Sequence, residues 1–99
     1  MQVFKALSDE TRYLMTKILL EEDRKMCICE FEAFFEKDSS VLYRNIKKLE
    51  DAGIVSTGKD GRKLFAEIED EEAVNDLISA VERIESDLPI HSIPEKVTS

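Results

Sequence analysis

The sequence is poor in the residues that most catalytic sites need. Its 99 residues include one histidine, no tryptophan and three glycines. A Ser-His or Cys-His nucleophile pair would therefore lack a base outside the C-terminal tail, and so few glycines provide no phosphate-binding loop. We expect no enzymatic activity.

Long apolar runs are also missing. No segment approaches the length of a membrane span, and the N-terminus lacks the basic and then apolar pattern of a secretion signal. The expected compartment is the cytoplasm, with no membrane partner. The two cysteines are separated by one residue, so they cannot hold distant elements together as a disulfide framework does.

What the sequence does contain fits one ordered, mainly helical domain. Hydrophobic residues make up 42% of the chain, and only two prolines and three glycines interrupt it. We predict a single domain over residues 1–88. Residues 89–99, with Pro94 and few apolar anchors, form a predicted mobile tail.

Charge is distributed unevenly along the chain. The net charge of −8 disfavours a nucleic-acid partner at first, because phosphate binding is driven by cations. Residues 41–66 nevertheless hold six basic and three acidic residues, so this segment carries +3 and the remainder carries −11. Any solvated helix and turn can collect lysines, but their placement on a helix followed by a hairpin favours DNA.

The segment from residue 38 to residue 52 predicts a helix with one buried face. Asp38 or Ser39 supplies an N-cap oxygen for the amides of its first turn. Leu42, Ile46 and Leu49 follow at spacings of four and three, so they form one stripe that faces a core. The opposite face is then free to meet a groove of DNA.

A β-hairpin is predicted directly after this helix. Residues 54–57 and 63–68 are rich in β-branched and apolar residues and flank a basic tip at residues 59–62. The Asp60-Gly61 pair in that tip suits a two-residue type I′ turn. Gly53, just before the hairpin, stands where the helix would end in the left-handed region.

Three helical segments precede this unit. Val3 to Leu7 begins a short helix, and a second helix runs from a cap at residues 8–11 to about residue 22, with Arg12 and Lys17 in solvent. Residues 26–36 form a third amphipathic segment, joined to the next helix by a tight turn at Lys37. The predicted fold is mainly α with a small β-hairpin wing: a winged helix-turn-helix in the order α-α-α-α-β-β-α. The residues expected in the core of the second and third segments are Leu14, Met15, Ile18, Leu19, Ile28, Phe31, Phe34 and Phe35.

The last helix carries an apolar seam. An acidic run at residues 69–72 suits its N-terminus, and it extends to about residue 87. Apolar residues then follow at spacings of three, four, three and four, as in a short coiled coil. This seam could pack on its own domain alone, but we predict that it also packs on a second copy of the chain. The predicted dimerisation residues are Val74, Leu77, Val81, Ile84 and Leu88.

Four stretches resemble the ArsR/SmtB-type winged-helix repressors. They are FKALSDETR at residues 4–12, CICE at 27–30, IKKLEDAGIV at 46–55 and GRKLF at 61–65, and the similarity runs from residue 4 to residue 68 without an evident gap. The resemblance implies a homodimer built from the first and last helices, with two recognition helices in successive major grooves. It also implies repression that an inducer relieves.

Among the departures of the chain from the family, one lies in the recognition helix and another in the last helix. Where the family commonly has Ser-Arg-His in the recognition helix, this chain has Tyr43-Arg44-Asn45, which implies an unusual operator. Many members build a zinc site across the last helices from imidazoles, but residues 71–87 contain no histidine and His91 lies in the tail. We therefore expect that zinc site to be absent.

Cys27 and Cys29 have the chemistry to sense an effector by ligation or by a covalent bond. A simpler interpretation is that they are small apolar residues at the start of a packed helix. Family members that bind arsenite here use a third cysteine three residues after the second, where this chain has Glu32. Two thiolates and a carboxylate suit zinc or cadmium better than arsenite, and oxidation of the thiols is a further interpretation.

The sequence thus predicts a dimeric, sequence-specific DNA-binding protein that recognises an inverted-repeat operator. The resemblance implies that it is a repressor released by an inducer. The alternative is a winged-helix adaptor that binds another protein without specific DNA binding. Salt-dependent binding to promoter DNA separates the two. The predicted DNA contacts are Ser39, Ser40, Tyr43, Arg44, Lys47, Lys48, Lys59, Arg62 and Lys63.

Overall fold

The computed structural model describes residues 2–86. The predicted tail and Leu88 lie outside this range. No helix in the described range is long and apolar enough to cross a membrane. In chain order the elements are α1 (Gln2–Leu7), α2 (Glu10–Glu22), β1 (Met26–Cys27), α3 (Ile28–Phe31), α4 (Ser39–Asp51), β2 (Val55–Asp60), β3 (Lys63–Ile68) and α5 (Glu71–Ser86).

These elements form a winged helix-turn-helix, so the predicted fold class is confirmed. Helices α3 and α4 form the helix-turn-helix, and β2 with β3 forms the wing. The predicted element order lacks one strand, because β1 pairs antiparallel with β3 and completes a sheet of order β1-β3-β2. Met26 lies opposite Ala66, and Cys27 lies opposite Phe65. A strand of two residues is too short to show an alternating pattern in the sequence.

The predicted third helix is much shorter than expected, because Met26 and Cys27 belong to β1 and α3 ends at Phe31. After Phe31 the chain tightens, and the amide of Phe34 donates to the Phe31 carbonyl over 2.9 Å. This three-residue spacing turns Phe34 outward, where it is 38% exposed, while Phe35 returns to the core. The expectation that Phe34 is buried is therefore wrong.

The two ends of α4 are built differently. Asp38 occupies the N-cap position, but its side chain accepts no capping hydrogen bond, so the predicted N-cap oxygen is not used. At the other end Gly53 has a φ of 82°, and the amide of Ile54 donates to the Leu49 carbonyl over 3.0 Å. This is a Schellman ending, which confirms the predicted role of Gly53.

The wing closes through a turn one residue later than predicted. Asp60 pairs with Lys63, so the two loop residues are Gly61 and Arg62 rather than Asp60 and Gly61. Gly61 has a φ of 68°, whereas Arg62 is not among the residues with positive φ. A type II′ turn needs a positive φ only at the first of its two loop residues, which is usually glycine. The loop of Gly61 and Arg62 has this pattern. The predicted type I′ turn is wrong.

The core lies where α4 packs on α2 and α3, and where α2 and α3 pack on β3. The predicted α4 stripe of Leu42, Ile46 and Leu49 is fully buried, and Ile18 of α2 is only partly buried. The apolar stripe of α4 therefore determines which face of this helix is exposed to solvent. In α2, Thr16 is also buried, and its hydroxyl donates to the Arg12 carbonyl over 2.9 Å, which satisfies this polar group.

Candidate nucleic-acid interface

The outward side of α4 presents a continuous polar surface. We call its exposed residues Ser39, Ser40, Tyr43, Arg44 and Lys48 the reading face. Tyr43 is 44% exposed. Because the buried stripe holds the opposite side of the same helix, these side chains are held outward on a rigid element.

A shallow concavity lies at the N-terminal end of the reading face. It is lined by Ile28 of α3 together with Ser39, Ser40, Tyr43 and Arg44 of α4. The first amides of α4 receive no side-chain cap, because the Asp38 carboxylate does not bond to them. Uncapped amides at a helix N-terminus favour an anion such as a phosphate.

Arg12 is hydrogen-bonded to the recognition helix α4, although its side chain was predicted to lie in solvent. Its Nε donates to the Ala6 carbonyl over 2.8 Å, and its Nη1 donates to Asn45 Oδ1 over 2.9 Å. Arg12 thereby links the end of α1, the start of α2 and the middle of α4. Because Asn45 Oδ1 is already engaged, Asn45 is not free to bind an adenine through both its oxygen and its nitrogen.

Lys17 is the second basic residue wrongly expected in solvent. Its ammonium forms an ion pair with Glu82 of α5, and its side chain is partly buried. The pair joins the second helix to the last helix. Arg12 and Lys17 were both wrongly predicted to lie in solvent, and the physical cause is the same. Their long cationic side chains extend to another helix, and helical periodicity in a sequence does not show such contacts.

Lys47 does not point freely toward solvent. Its Nζ lies 2.6 Å from Glu50 Oε1, and Glu50 Oε2 accepts a 2.7 Å hydrogen bond from the hydroxyl of Thr57 in β2. Hydrogen bonds lower the pKa of Glu50, with the larger effect from Lys47 and the smaller from Thr57. The hydrogen bond to Glu50 in turn raises the pKa of Lys47. This cluster joins α4 to the wing and compensates the charge of a predicted phosphate contact.

The wing carries the remaining predicted contacts. Lys59, Arg62 and Lys63 are all exposed at or beside the hairpin turn. A further cation that the sequence analysis did not single out lies next to them: Lys25 Nζ sits 5.1 Å from the centre of the Phe65 ring. The signal that could have identified Lys25 is its position just before β1, which was itself too short to predict.

The cysteines lie where β1 meets α3. Their sulfur atoms are in contact and are paired as a disulfide, with the two Cα atoms 5.1 Å apart. Cys27 is buried and Cys29 is exposed. The Cys27 sulfur accepts a hydrogen bond from the Cys29 amide over 3.2 Å, and Glu30 accepts one from the Cys27 amide over 3.0 Å. Cys27 is therefore the N-cap of α3 and forms a capping box with Glu30.

Glu30, rather than Glu32, is the carboxylate that faces this junction. Arg24 donates to Glu30 over 2.7 Å, and this hydrogen bond together with that from the Cys27 amide lowers the pKa of Glu30. Glu32 lies at the C-terminal cap of α3. Across residues 2–86, no three histidine, cysteine or acidic side chains form a group that could hold a metal ion. The structure therefore does not bring Glu32 together with the two cysteines as a third donor.

Part of the predicted apolar seam of α5 packs within the same protomer. Val74 is buried, as is Ile78, which lies outside the predicted seam, whereas Leu77 and Val81 are half-buried. Ile84 is 65% exposed, and Phe4 of α1 is 62% exposed. The protomer thus leaves large apolar side chains uncovered on its first and last helices.

A recognition helix braced by a shorter helix and followed by a basic hairpin is the arrangement of winged helix-turn-helix transcriptional regulators. Residues 9–57 match the family model described as "Bacterial regulatory protein, arsR family". An uncharacterised HTH-type transcriptional regulator of Methanocaldococcus jannaschii is 32% identical over 83 residues, which cover 84% of this chain and 91% of that protein. The chain belongs to the ArsR family of transcriptional regulators.

Two further relatives show how far the likeness extends. A homologue of the cadmium resistance transcriptional regulatory protein in Staphylococcus aureus is 30% identical over 70 residues, covering 71% of this chain and 57% of that protein. The chain spans about half the length of the curated arsenic and cadmium resistance relatives that it matches. The homodimeric winged helix-turn-helix domain of a possible ArsR-family regulator from Mycobacterium bovis superposes with a TM-score of 0.76 at 18% identity, covering 95% of this chain and 84% of that one. At that identity the likeness concerns the fold.

Proposed function

We propose that the protein is a homodimeric repressor that binds an inverted-repeat operator and is released by an effector. The observation that carries the proposal is the reading face, where Tyr43 and Arg44 project from a helix whose other side is fully buried. Such a surface fits the major groove of DNA. In this proposal Arg44 holds a guanine through its two acceptors, and Tyr43 contacts a neighbouring base edge.

In this proposal the phosphate contacts come from α4 and from the wing. The hydroxyls and uncapped amides of Ser39 and Ser40 meet one phosphate, because the N-terminus of a helix favours an anion. Lys48 and the three wing cations provide further contacts, whereas Lys47 shares its charge with Glu50. The −11 carried outside residues 41–66 restricts DNA to this side of the protomer.

The dimer uses the first and last helices. Phe4 and Ile84 expose large apolar surfaces that a second copy would cover, and Leu77 with Val81 extends that surface along α5. A closed two-fold pair makes both protomers use the same patch. The homodimeric state named for the Mycobacterium bovis relative supports this arrangement.

The effector is proposed to act at the cysteine pair. Zinc or cadmium at Cys27 and Cys29 stays a prediction for the dithiol form, and the cadmium resistance relative supports that class of effector. A site with two thiolates and no third side-chain ligand would bind such an ion weakly, because these metals prefer four ligands.

The proposal is tested by measuring binding to a DNA fragment from the gene's own promoter over a series of salt concentrations. A dimer with four phosphate-binding cations on each protomer should give a slope of log affinity against log salt of about −7. A scrambled fragment of equal length should bind more weakly at every salt concentration. Equal affinity for both fragments would instead support the adaptor interpretation.

Two variants make this experiment specific to the interface. Arg62→Gln should reduce the steepness of the slope by about two, since each dimer loses two phosphate contacts. Arg83→Gln, an exposed cation on α5, removes the same charge from outside the interface and should leave the slope unchanged. A slope that responds equally to both variants would show that overall charge, rather than the wing, drives binding.

A further inference from the structure

The concavity at the N-terminal end of the reading face has an apolar part that the proposed function does not use. It is lined by Ile28, Ser39, Ser40, Tyr43 and Arg44. Although two serines and an arginine belong to this lining, most of its surface is apolar. The serine hydroxyls are assigned to a phosphate above and the guanidinium to a guanine. The apolar surface between them therefore needs a partner of its own.

Ile28 is the most deeply buried residue of this lining, with 7% of its surface exposed. It is the first residue of α3 and directly follows the Cys27 N-cap. Glu30 accepts hydrogen bonds from the Cys27 amide and from Arg24, and these bonds hold the first turn of α3 in place. The other lining residues belong to α4. Two packed helices thus hold the apolar surface in a fixed shape before any ligand arrives.

The concavity lies directly beside the residue proposed to hold a guanine. Ser40 precedes Tyr43 by three residues and Arg44 by four, so these side chains lie on one face of α4. Tyr43, which is 44% exposed, lines the concavity together with Ile28. A base next to the guanine held by Arg44 would therefore present its major-groove edge to an apolar surface.

The major groove offers one apolar group for such a surface. Its base edges carry hydrogen-bond donors and acceptors, and the exception is the 5-methyl group of thymine. A donor or acceptor placed against the apolar surface would lose its bond to water without a replacement, which is costly. A methyl group loses nothing there and gains from leaving water.

We propose that Ile28 and Tyr43 read the 5-methyl group of a thymine that lies beside the guanine held by Arg44. The proposal rests on the DNA-binding function proposed above and names a second base in each half-site. It also gives α3 a direct part in sequence reading, in addition to supporting α4. The same methyl group occurs on 5-methylcytosine, so the experiment has to distinguish the two bases.

Replacing thymine by uracil in the DNA removes this methyl group and keeps the donors and acceptors of the base pair. Burial of one such group corresponds to about a fourfold gain in affinity. The contacted thymine should therefore bind about fourfold more weakly as uracil in one half-site. Substitution in both half-sites of the dimer should weaken binding about fifteenfold, since the two contacts are independent.

The experiment measures fluorescence anisotropy of the full chain with synthetic promoter fragments. Each fragment carries uracil in place of one thymine, and the set covers every thymine of the footprint. One position in each half-site should respond, and the two positions should be related by the two-fold symmetry of the operator. Uracil outside the half-sites should leave the affinity unchanged.

Two variants connect this effect to the concavity. Ile28→Ala removes the apolar contact and should bind the thymine and uracil fragments equally. Ile18→Ala makes the same truncation in α2, outside the concavity, and should keep the preference for thymine. If Ile28→Ala does not fold, Ile28→Val should show a reduced preference, and the uracil scan of the wild type needs no variant.

The outcomes separate this proposal from the DNA-binding proposal. A wild type that prefers promoter DNA to the scrambled fragment but tolerates uracil at every thymine would overturn the thymine contact alone. A folded Ile28→Ala variant with the full preference for thymine would do the same. Tighter binding to a fragment with 5-methylcytosine, without any response to uracil, would also overturn it. Equal affinity for promoter and scrambled DNA would overturn both proposals.

Discussion

Arg12 shows how one side chain can position a functional helix from a distance in sequence. It bonds to the Ala6 carbonyl and to Asn45, which is 33 residues away. The sequence pattern correctly placed Arg12 on the polar side of α2, but it could not show that the guanidinium reaches two other helices. The buried stripe of α4 was predictable because periodicity records burial, whereas pairing across helices depends on their final distance.

We expect Arg12→Ala to lower the free energy of unfolding by about 1 to 3 kcal/mol, because it removes two hydrogen bonds made by a charged group. Asn45→Ala removes only one partner and should cost less. In a double-mutant cycle measured by urea denaturation, the combined variant should be more stable than the sum of the two single effects indicates. Strict additivity would show that the contact between Arg12 and Asn45 does not contribute to stability.

Asp23 and Glu71 illustrate an unfavourable pairing at the residue scale. A hydrogen bond and a like charge from Asp23 raise the pKa of Glu71. A carboxyl whose pKa is raised in the folded state favours folding when it is protonated, so this stability is lost as the pH rises through the raised pKa. Asp23→Asn should therefore increase Tm at neutral pH, and the increase should shrink on acidification.

Asparagine is the matched substitution, because Asp23 has a φ of 56° and asparagine tolerates the left-handed region. Glu72→Gln also removes one negative charge, from the first turn of α5, and serves as the control. Thermal melts of the three proteins at neutral and acidic pH give the comparison. The same Tm increase in both variants would attribute the effect to net charge rather than to Asp23 and Glu71.

Long helices were predicted more accurately from the sequence than the shortest helix and strand. Helices α2, α4 and α5 each have at least 13 residues and emerged from capping and periodic signals. The strand β1 has two residues, and α3 has four, so neither shows a full period. Phe34 was misplaced for the same reason, since a helix extrapolated beyond Phe31 would have pointed it inward. The cysteine contact depended on these short elements and could not be foreseen in detail.

The cluster of Lys47, Glu50 and Thr57 should couple the recognition helix to the wing. Glu50→Gln removes the ion pair, and we expect a loss of less than about 1 kcal/mol at neutral pH, because the side chains are partly exposed. The pKa of Glu50 is lowered from 4.5 in the folded state, so its contribution is present above that value and is lost as the pH falls through the lowered one. Urea denaturation against pH gives this profile.

Thr57→Val separates the two halves of the cluster, because it removes the hydroxyl and leaves Lys47 in place. Its effect on stability should depend less on pH than that of Glu50→Gln, since the ion pair remains. In both variants, amide hydrogen exchange in β2 should be faster than in the wild type if the cluster holds the wing. Unchanged exchange would mean that the strand pairing alone fixes the hairpin.

For the molecule as a whole, the exposed apolar residues of α1 and α5 predict the assembly. Ile84→Lys should leave the protomer folded, because Ile84 is 65% exposed, but should abolish the dimer by placing a charge in its interface. Analytical ultracentrifugation should show a dimer for the wild type and a monomer for this variant. Asn75→Lys, at an exposed position of the same helix, is the control and should remain a dimer.

The proposed dimer would also determine the form of the operator. Footprinting of the wild type should show two half-sites related by inversion and centred one helical turn apart, roughly 10 base pairs, or a multiple of that spacing. The Ile84→Lys monomer should protect a half-site only at higher concentrations. A wild-type monomer at micromolar concentration, or a footprint without two-fold symmetry, would contradict this assembly.

If α4 reads DNA sequence through Arg44, removal of this side chain should lower the preference of the protein for promoter DNA. The ratio of affinities for promoter DNA and a scrambled fragment is determined for the wild type and for Arg44→Ala. A guanine contact through two acceptors contributes about 1 to 3 kcal/mol of discrimination, so the variant should lose that part of its preference. Its affinity for the scrambled fragment should change little beyond the loss of one charge per protomer. If Arg44→Ala instead weakened binding to both fragments equally and kept the ratio intact, the assignment of the reading face would be wrong.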